Sequence, residues 1–227
     1  MIFNLLLLLI FLILLCSSSS LLYFFNYSSK DSNGNKLFYS TEDFPELKIL
    51  EDNWRTIQSE IPTFNPNAKM IRRGRYAWNN KEGEELYDQL KENKEWVRGW
   101  MDGVEWYQFP LMYHGEVIGN AEKMCPRTVS LLKGIPNINI AGYALLRPDA
   151  KLNKHQDEAG RKNGSMAANM EITGKKSSLY VCNGFGQFKQ KDHSSGQMVI
   201  FDSTNTHYAE NNDKDNRVIL YVELSLL

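Results

Sequence analysis

The stretch Gln197-Met198-Val199-Ile200-Phe201-Asp202-Ser203-Thr204-Asn205-Thr206-His207, followed after an Asn- and Asp-rich turn by Arg217-Val218-Ile219-Leu220-Tyr221-Val222-Glu223-Leu224, decides the fold class. Its outer runs, Gln197 to Phe201 and Arg217 to Leu224, are short, rich in β-branched and aromatic residues, and bounded by turn formers, which is the pattern of strands. Ala141 to Leu146 and Ser178 to Cys182 repeat it upstream, and Trp106 to Met112 is an earlier candidate. Short strands at regular intervals, preceded by helical stretches, predict an α+β, mainly β domain: a jelly roll, or double-stranded β-helix, with N-terminal helices packed on it. Such a barrel narrows around an internal pocket where side chains from opposite strands converge.

Working outward, Thr41 to Ile61 carries Phe44, Leu47, Leu50, Trp54, Ile57 and Ile61 at steps of three and four, which predicts an amphipathic helix capped by Ser40 or Thr41. A second helix is expected over Gly83 to Met101 and a third over Ala121 to Lys133, the latter stopped by Gly134 and Pro136. The polar run Ser28 to Lys36 reads as a tether. Before it, Ile2 to Phe25 carries no charge, and as a helix these 24 residues would reach about 36 Å, enough to cross a bilayer. The expected organisation is therefore a single-pass transmembrane anchor over residues 1–27, a tether over 28–36 and a domain over 37–227, helical to 135 and jelly roll from 136. A cleaved signal peptide is the competing reading, since the apolar Leu5 to Leu15 is followed by serines. Lys30 and Lys36 follow the span and nothing basic precedes it, which by the positive-inside rule leaves the domain in the cytoplasm.

The 227 residues carry 26 basic against 27 acidic side chains, so no nucleic-acid groove is expected. Aromatics at 12% provide for a core, and Trp96, Trp100, Trp106 and Tyr107 are assigned to it. Of three cysteines, Cys16 lies in the span, while Cys125 and Cys182 are either one disulfide or two thiols.

The chemistry rests on His155-Gln156-Asp157, His207 and Arg217. An imidazole and a carboxylate at i and i+2 point to one side of an extended segment, so a single strand end can offer both to a metal ion. A second imidazole from a distant strand completes a facial triad with open positions, the set that suits non-haem Fe(II) and dioxygen. Arg217 adds a planar, always-charged fork for the carboxylate of a diacid such as 2-oxoglutarate. Glu158 is a second candidate for the oxygen ligand. His114 and His193, in glycine-rich or charged turns, are expected at the surface.

These residues have a familiar arrangement. Trp106-Tyr107-Gln108-Phe109-Pro110-Leu111, Cys125-Pro126-Arg127-Thr128, Tyr143-Ala144-Leu145-Leu146-Arg147-Pro148 leading to His155, and Val199-Ile200-Phe201-Asp202 with His207 and Arg217 together resemble the aspartyl/asparaginyl β-hydroxylase family. The resemblance covers about Trp106 to Leu224. It implies a double-stranded β-helix, Fe(II) held by His155 and His207, and 2-oxoglutarate held at its distal carboxylate by Arg217. It also implies a type II anchor in the endoplasmic reticulum membrane, whereas substrate recognition does not carry over. The chain departs from the animal members in four respects. Asp157 stands where they have glycine, Ala144 stands for a serine that helps hold 2-oxoglutarate, and Asn169 and Glu171 fall near a basic residue and a histidine. Of their paired cysteines only Cys125 has a counterpart.

The expected function is thus a membrane-anchored Fe(II)/2-oxoglutarate-dependent dioxygenase hydroxylating a peptidyl side chain. Two alternatives stand beside it: a related hydroxylase acting on lipid acyl chains, which a membrane tether suits equally, and a non-catalytic jelly-roll module that holds a ligand. Ala144 and Glu171 are the features that favour the module.

Overall fold

Most of the strand-forming runs extend beyond their sequence-predicted bounds, and the helical runs fragment. In the computed structural model, which describes residues 31, 34–68, 95–99, 101, 103–157 and 165–226, a 3-10 turn Pro45–Leu47 leads into α1 (Lys48–Asp52) and α2 (Trp54–Ser59). Then come β1 (Val97–Arg98), β2 (Trp106–Tyr113), β3 (Glu116–Val117), α3 (Ala121–Met124) and α4 (Pro126–Lys133). The remainder is β4 (Ile138–Leu146), β5 (Ser165–Thr173), β6 (Ser177–Cys182), β7 (Phe188–Asp192), β8 (Met198–Phe201), β9 (His207–Asn211) and β10 (Arg217–Ser225).

One antiparallel sheet runs β1-β2-β4-β10-β5-β8, with β3 beside β2, and a smaller one runs β7-β6-β9. After β5 the chain crosses to the small sheet for β6 and β7, returns for β8, crosses for β9 and returns for β10. That is the path of a double-stranded β-helix, so the expected mainly β barrel with helices on it is what the chain forms.

Period two then assigns the two faces of the large sheet. From β10, Val218, Leu220, Val222 and Leu224 join the main core with Leu47, Leu50, Ile57, Val129 and Leu132 from the helices. The alternate residues Arg217, Ile219, Tyr221 and Glu223 line a cavity of about 170 Å³ between the sheets. Strands covered on both faces read as near-continuous buried runs, as β5 and β10 do. The helical layer is tied down by polar contacts too. The Glu60 carboxylate accepts from Arg127 N (3.1 Å) and Nε (2.9 Å) and from Thr128 N (2.7 Å) and Oγ1 (2.8 Å), satisfying the open N–H groups at the start of α4. Tyr143 of β4 donates to the Ile57 carbonyl at 2.9 Å.

Pro110 lies inside a strand, which is tolerated because the β2–β4 register shifts between Pro110 and Met112. Gly142 opposite is demanded by the same irregularity, since a Cβ there would sit 2.7 Å from the Phe109 carbonyl oxygen.

Several expectations are corrected. The helix expected over Thr41 to Ile61 starts only at Pro45, after a turn at 41–43, and is broken at Asn53. The third breaks at Cys125, because Pro126 can only open a helix. Of the second, residues 83–94 and 100 lie outside the described residues, and Val97–Arg98, at its end, is strand. The division at 135/136 between a helical part and a jelly-roll part does not hold either, because β2 is an interior strand of the large sheet. Strands β5, β7 and β9 were not expected, and His193 is 7% exposed rather than at the surface. Cys125 and Cys182 are free thiols, and burial pushes the Cys125 thiol up to about 12. The anchor expected over residues 1–27, and residues 28–30, 32 and 33 of the expected tether, lie outside the described residues. Among the described residues no helix is long and apolar enough to cross a membrane.

Leu220 tests the two-sided role of β10. Leu220→Ala should cost about 2–5 kcal/mol in urea unfolding, the range for a buried leucine whose cavity cannot collapse; a cost within experimental error would show that β10 is not central to the core.

Candidate metal centre

His155 and His207 face each other across a main-chain bridge. The His155 N–H donates to the His207 carbonyl at 3.0 Å, and the His207 N–H returns the bond at 2.9 Å. Directly opposed residues of an antiparallel pair project their side chains to the same face, and the two imidazole centroids are 4.2 Å apart. Residues 151–157 run alongside β9: the N–H of Leu152 bonds to Ala209 O at 2.9 Å, and that of Asp157 to Ser203 O at 2.9 Å. Extended backbone then turns Asp157 to the side of His155, as the i, i+2 spacing predicts. Ligand atoms of His155, Asp157 and His207 lie within 4.8 Å of one another, the one such group among the described residues.

Both rings are locked in the same tautomer. His155 Nδ1 lies 2.7 Å from the Asn153 carbonyl oxygen and His207 Nδ1 lies 2.9 Å from that of Asn205. A carbonyl can only accept, so each Nδ1 carries a proton and Nε2 is the ring nitrogen left to act as a ligand atom. This is the outer support that a metal-binding imidazole needs. Burial lowers His207 to about 4 against the opposing pull of Asp157, with His155 lowering it further. At neutral pH the ring is therefore uncharged, the form that binds a metal.

Arg217 lines the same cavity from β10 and is fully buried. Its Nε donates to Ser177 Oγ at 3.1 Å, while Nη2 is buried without a hydrogen-bond partner. Burial lowers the guanidinium to about 10 and nearby Glu171 raises it, so it stays cationic at neutral pH. Position along β6 relates this cation to the histidines. Val181 pairs with His207 and Ser177 pairs with Asn211, four strand residues or about 13 Å away. Leu179 and Ala209, between them, line the cavity. A cationic nitrogen left without a partner beside a cavity is what an incoming carboxylate satisfies.

Other sequence-marked residues fall as follows. Glu158 lies outside the described residues. Ala144 lines the cavity, and so does Asn169, whose Oδ1 is buried and unpartnered. Glu171 is buried behind Arg217, joined to it through Ser177. Trp96, Trp106 and Tyr107 are buried as expected, Trp106 also at the cavity, and Trp100 lies outside the described residues. Sequence reasoning missed Ser177 and Gln108. It also missed the main-chain lock on each histidine, although the repeated spacing Asn153-Lys154-His155 and Asn205-Thr206-His207 was a readable signal.

The family comparison completes this geometry: the model of the Aspartyl/Asparaginyl beta-hydroxylase family matches residues 51–225. The chain belongs to that family. It is a family of hydroxylases, so the coarse class is a dioxygenase-like oxidoreductase, and a His-Asp-His group is consistent with iron. An uncharacterized protein of Acanthamoeba polyphaga mimivirus is 27% identical over 203 residues, covering 85% of this chain and 71% of that protein. Among solved structures, a predicted oxalate decarboxylase of Thermotoga maritima aligns with a TM-score of 0.37 and 14% identity, over 62% of this chain and 96% of that one. The cupin domain of Schizosaccharomyces pombe Cnp3 aligns at 0.36 and 12%, over 53% and 65%. Likenesses of that size decide nothing about function.

Two outcomes test the site. His207→Ala should abolish stoichiometric Mn(II) or Zn(II) uptake in equilibrium dialysis while the thermal transition persists. The metal-free protein should also lose stability to urea as pH falls from about 6.5 towards 4. Its unfolded chain takes up protons at His193 and His207 that the native state keeps off by burial, so acid favours unfolding there. A stability flat across that window would contradict the neutral, buried state of both rings.

Proposed function

We propose that this protein is an Fe(II)- and 2-oxoglutarate-dependent dioxygenase that hydroxylates a peptidyl side chain and is held at a membrane by residues 1–27. The observation that carries the reading is the conjunction in one cavity of two tautomer-locked imidazoles and a carboxylate with a buried arginine nitrogen that has no partner. Each half implies the other, because a facial ligand set leaves room for a chelating keto acid and the keto acid needs a cation at its far end.

In this reading His155, His207 and Asp157 bind the iron, and Arg217 takes the distal carboxylate of 2-oxoglutarate. Iron(II) bound with 2-oxoglutarate and dioxygen supplies oxidative decarboxylation coupled to hydroxylation of an unactivated C–H bond. The chain's own work is positional. The backbone bridge fixes the angle between the two imidazoles, and the apolar surface of Leu179, Ala209 and Ile219 keeps the cavity dry. Asn169, with its unpartnered Oδ1, and Gln108 also line the cavity and offer hydrogen bonds to a polar side chain, which favours a peptide over an acyl chain.

Anaerobic titration of the protein with Fe(II) and then 2-oxoglutarate should give the weak visible charge-transfer band of a chelated keto acid. Arg217→Ala should raise the 2-oxoglutarate needed by at least about tenfold, or 1.4 kcal/mol, as removing one side of a buried charge contact does. With dioxygen and asparaginyl or aspartyl peptides, a mass gain of one oxygen is expected. A spectrum that stays featureless in the wild type would overturn the dioxygenase reading, whereas oxygen gain only on lipid acyl chains would overturn the substrate.

A further inference from the structure

Behind the Arg217 guanidinium sits a second charge that an anion clamp does not require. Glu171, on β5, is 1% exposed, and its Oε2 accepts a short hydrogen bond from Ser177 Oγ. Ser177 Oγ in turn accepts from Arg217 Nε at 3.1 Å. The hydroxyl proton is thus committed to the carboxylate, and the lone pairs of the oxygen face the guanidinium. His193 closes the far side: its Nδ1 is 3.4 Å from the same Oγ, its main-chain N–H donates to Ser177 O at 3.1 Å, and its Nε2 is buried without a partner. With the hydroxyl proton already spent, His193 can only meet that oxygen as an Nδ1–H donor. Three groups therefore converge on one serine oxygen.

The local backbone builds this arrangement. Gly174, at φ +126°, turns the chain between β5 and β6, and a Cβ there would lie 3.3 Å from Glu171 Oε1 and 3.5 Å from Arg217 Cγ. A residue with a side chain would strain the turn and crowd the Glu171 carboxylate. Glu171 also accepts at its main-chain carbonyl from Gly196 N at 2.8 Å, which holds the strand end from the other side.

Resting on the dioxygenase reading above, we propose that Glu171, acting through Ser177, is a positioning residue for the anion clamp. It aims the guanidinium so that the Nη edge rather than the Nε edge meets the cavity, and it sets how strongly that edge attracts a dicarboxylate. A guanidinium whose Nε–H is already engaged has only its Nη atoms for a ligand, which fixes the approach direction of the carboxylate. The Glu171 charge opposes an incoming anion at short range in a low-dielectric setting, so the clamp is tuned for exchange rather than for maximal affinity. The shared serine lets the carboxylate both orient the cation and moderate the anion site.

The experiment compares full-length wild type, Glu171→Gln, Ser177→Ala and Ser177→Thr by calorimetry under nitrogen. The probes are 2-oxoglutarate with Mn(II)-loaded protein and glutarate, which lacks the chelating keto group, with metal-free protein. Glu171→Gln keeps an acceptor for Ser177 and removes the charge, so it should tighten both diacids on the order of tenfold. Ser177→Ala should weaken both, and Ser177→Thr should restore them. A merely structural Glu171 would weaken binding or leave it unchanged when replaced, and either result overturns the proposal. If the wild type binds 2-oxoglutarate and the glutamine variant matches it, the proposal falls and the dioxygenase reading stands. If neither protein takes either diacid, both fall. Binding seen only in the variant upholds the proposal and counts against 2-oxoglutarate as the natural partner.

Discussion

Strand β10 carries the constraint on which everything else depends, because it is buried on both faces and has a different task on each. Hydrogen-bonded to β4 on one side and β5 on the other, it cannot slip in register without exchanging its faces. A shift of one residue would send Val218, Leu220 and Val222 into the cavity and drive Arg217 and Glu223 into the apolar layer under the helices. Burying an unpaired charge there costs several kcal/mol, so the register that makes the core also delivers the guanidinium to the cavity.

The metal-ligand cluster is equally a product of main-chain pairing. The main chain aims both histidines. Their separation comes from the bridge between residues 155 and 207, and their protonation from carbonyl groups two residues upstream of each. The electrostatics divide along the cavity accordingly. Two imidazoles and one carboxylate lie at one end, a cation with its own counter-charge at the other, and apolar side chains between them.

The buried Arg217–Ser177–Glu171 group gives Glu171 its place behind the cavity wall. Burial raises its carboxyl against the opposing pull of the Ser177 hydrogen bond and of Arg217. Direct contact between Glu171 and a bound anion would be unfavourable, and Ser177 stands between them. Ala144 lines the cavity one strand away from Ile219 and offers no hydrogen bond, so the polar contacts to a ligand must come from elsewhere in the wall.

Much of this molecule was legible in one dimension. The runs Ala141 to Leu146, Ser178 to Cys182, Gln197 to Phe201 and Arg217 to Leu224 declared a β domain because side-chain branching and turn residues act locally. The spacing of His155 and Asp157 declared a shared face because an extended chain repeats every two residues. What the sequence could not declare was whatever depends on residues remote in the chain. Strand β5 reads as a featureless mix of Ser, Met, Ala and Asn, and only cover on both faces makes it a strand. The helix expected over Thr41 to Ile61 has the right periodicity yet breaks at Asn53, with Leu47, Leu50 and Ile57 all packed into the core beneath it. His193 sits in a charged turn and is nevertheless buried, because its neighbours in space are Ser177 and Arg217. The sequence alone determined the class of fold and marked His155, Asp157, His207 and Arg217 as residues that line one cavity. The tertiary structure decided which groups meet, since only packing brings a glutamate, a serine and an arginine from three strands onto one oxygen atom.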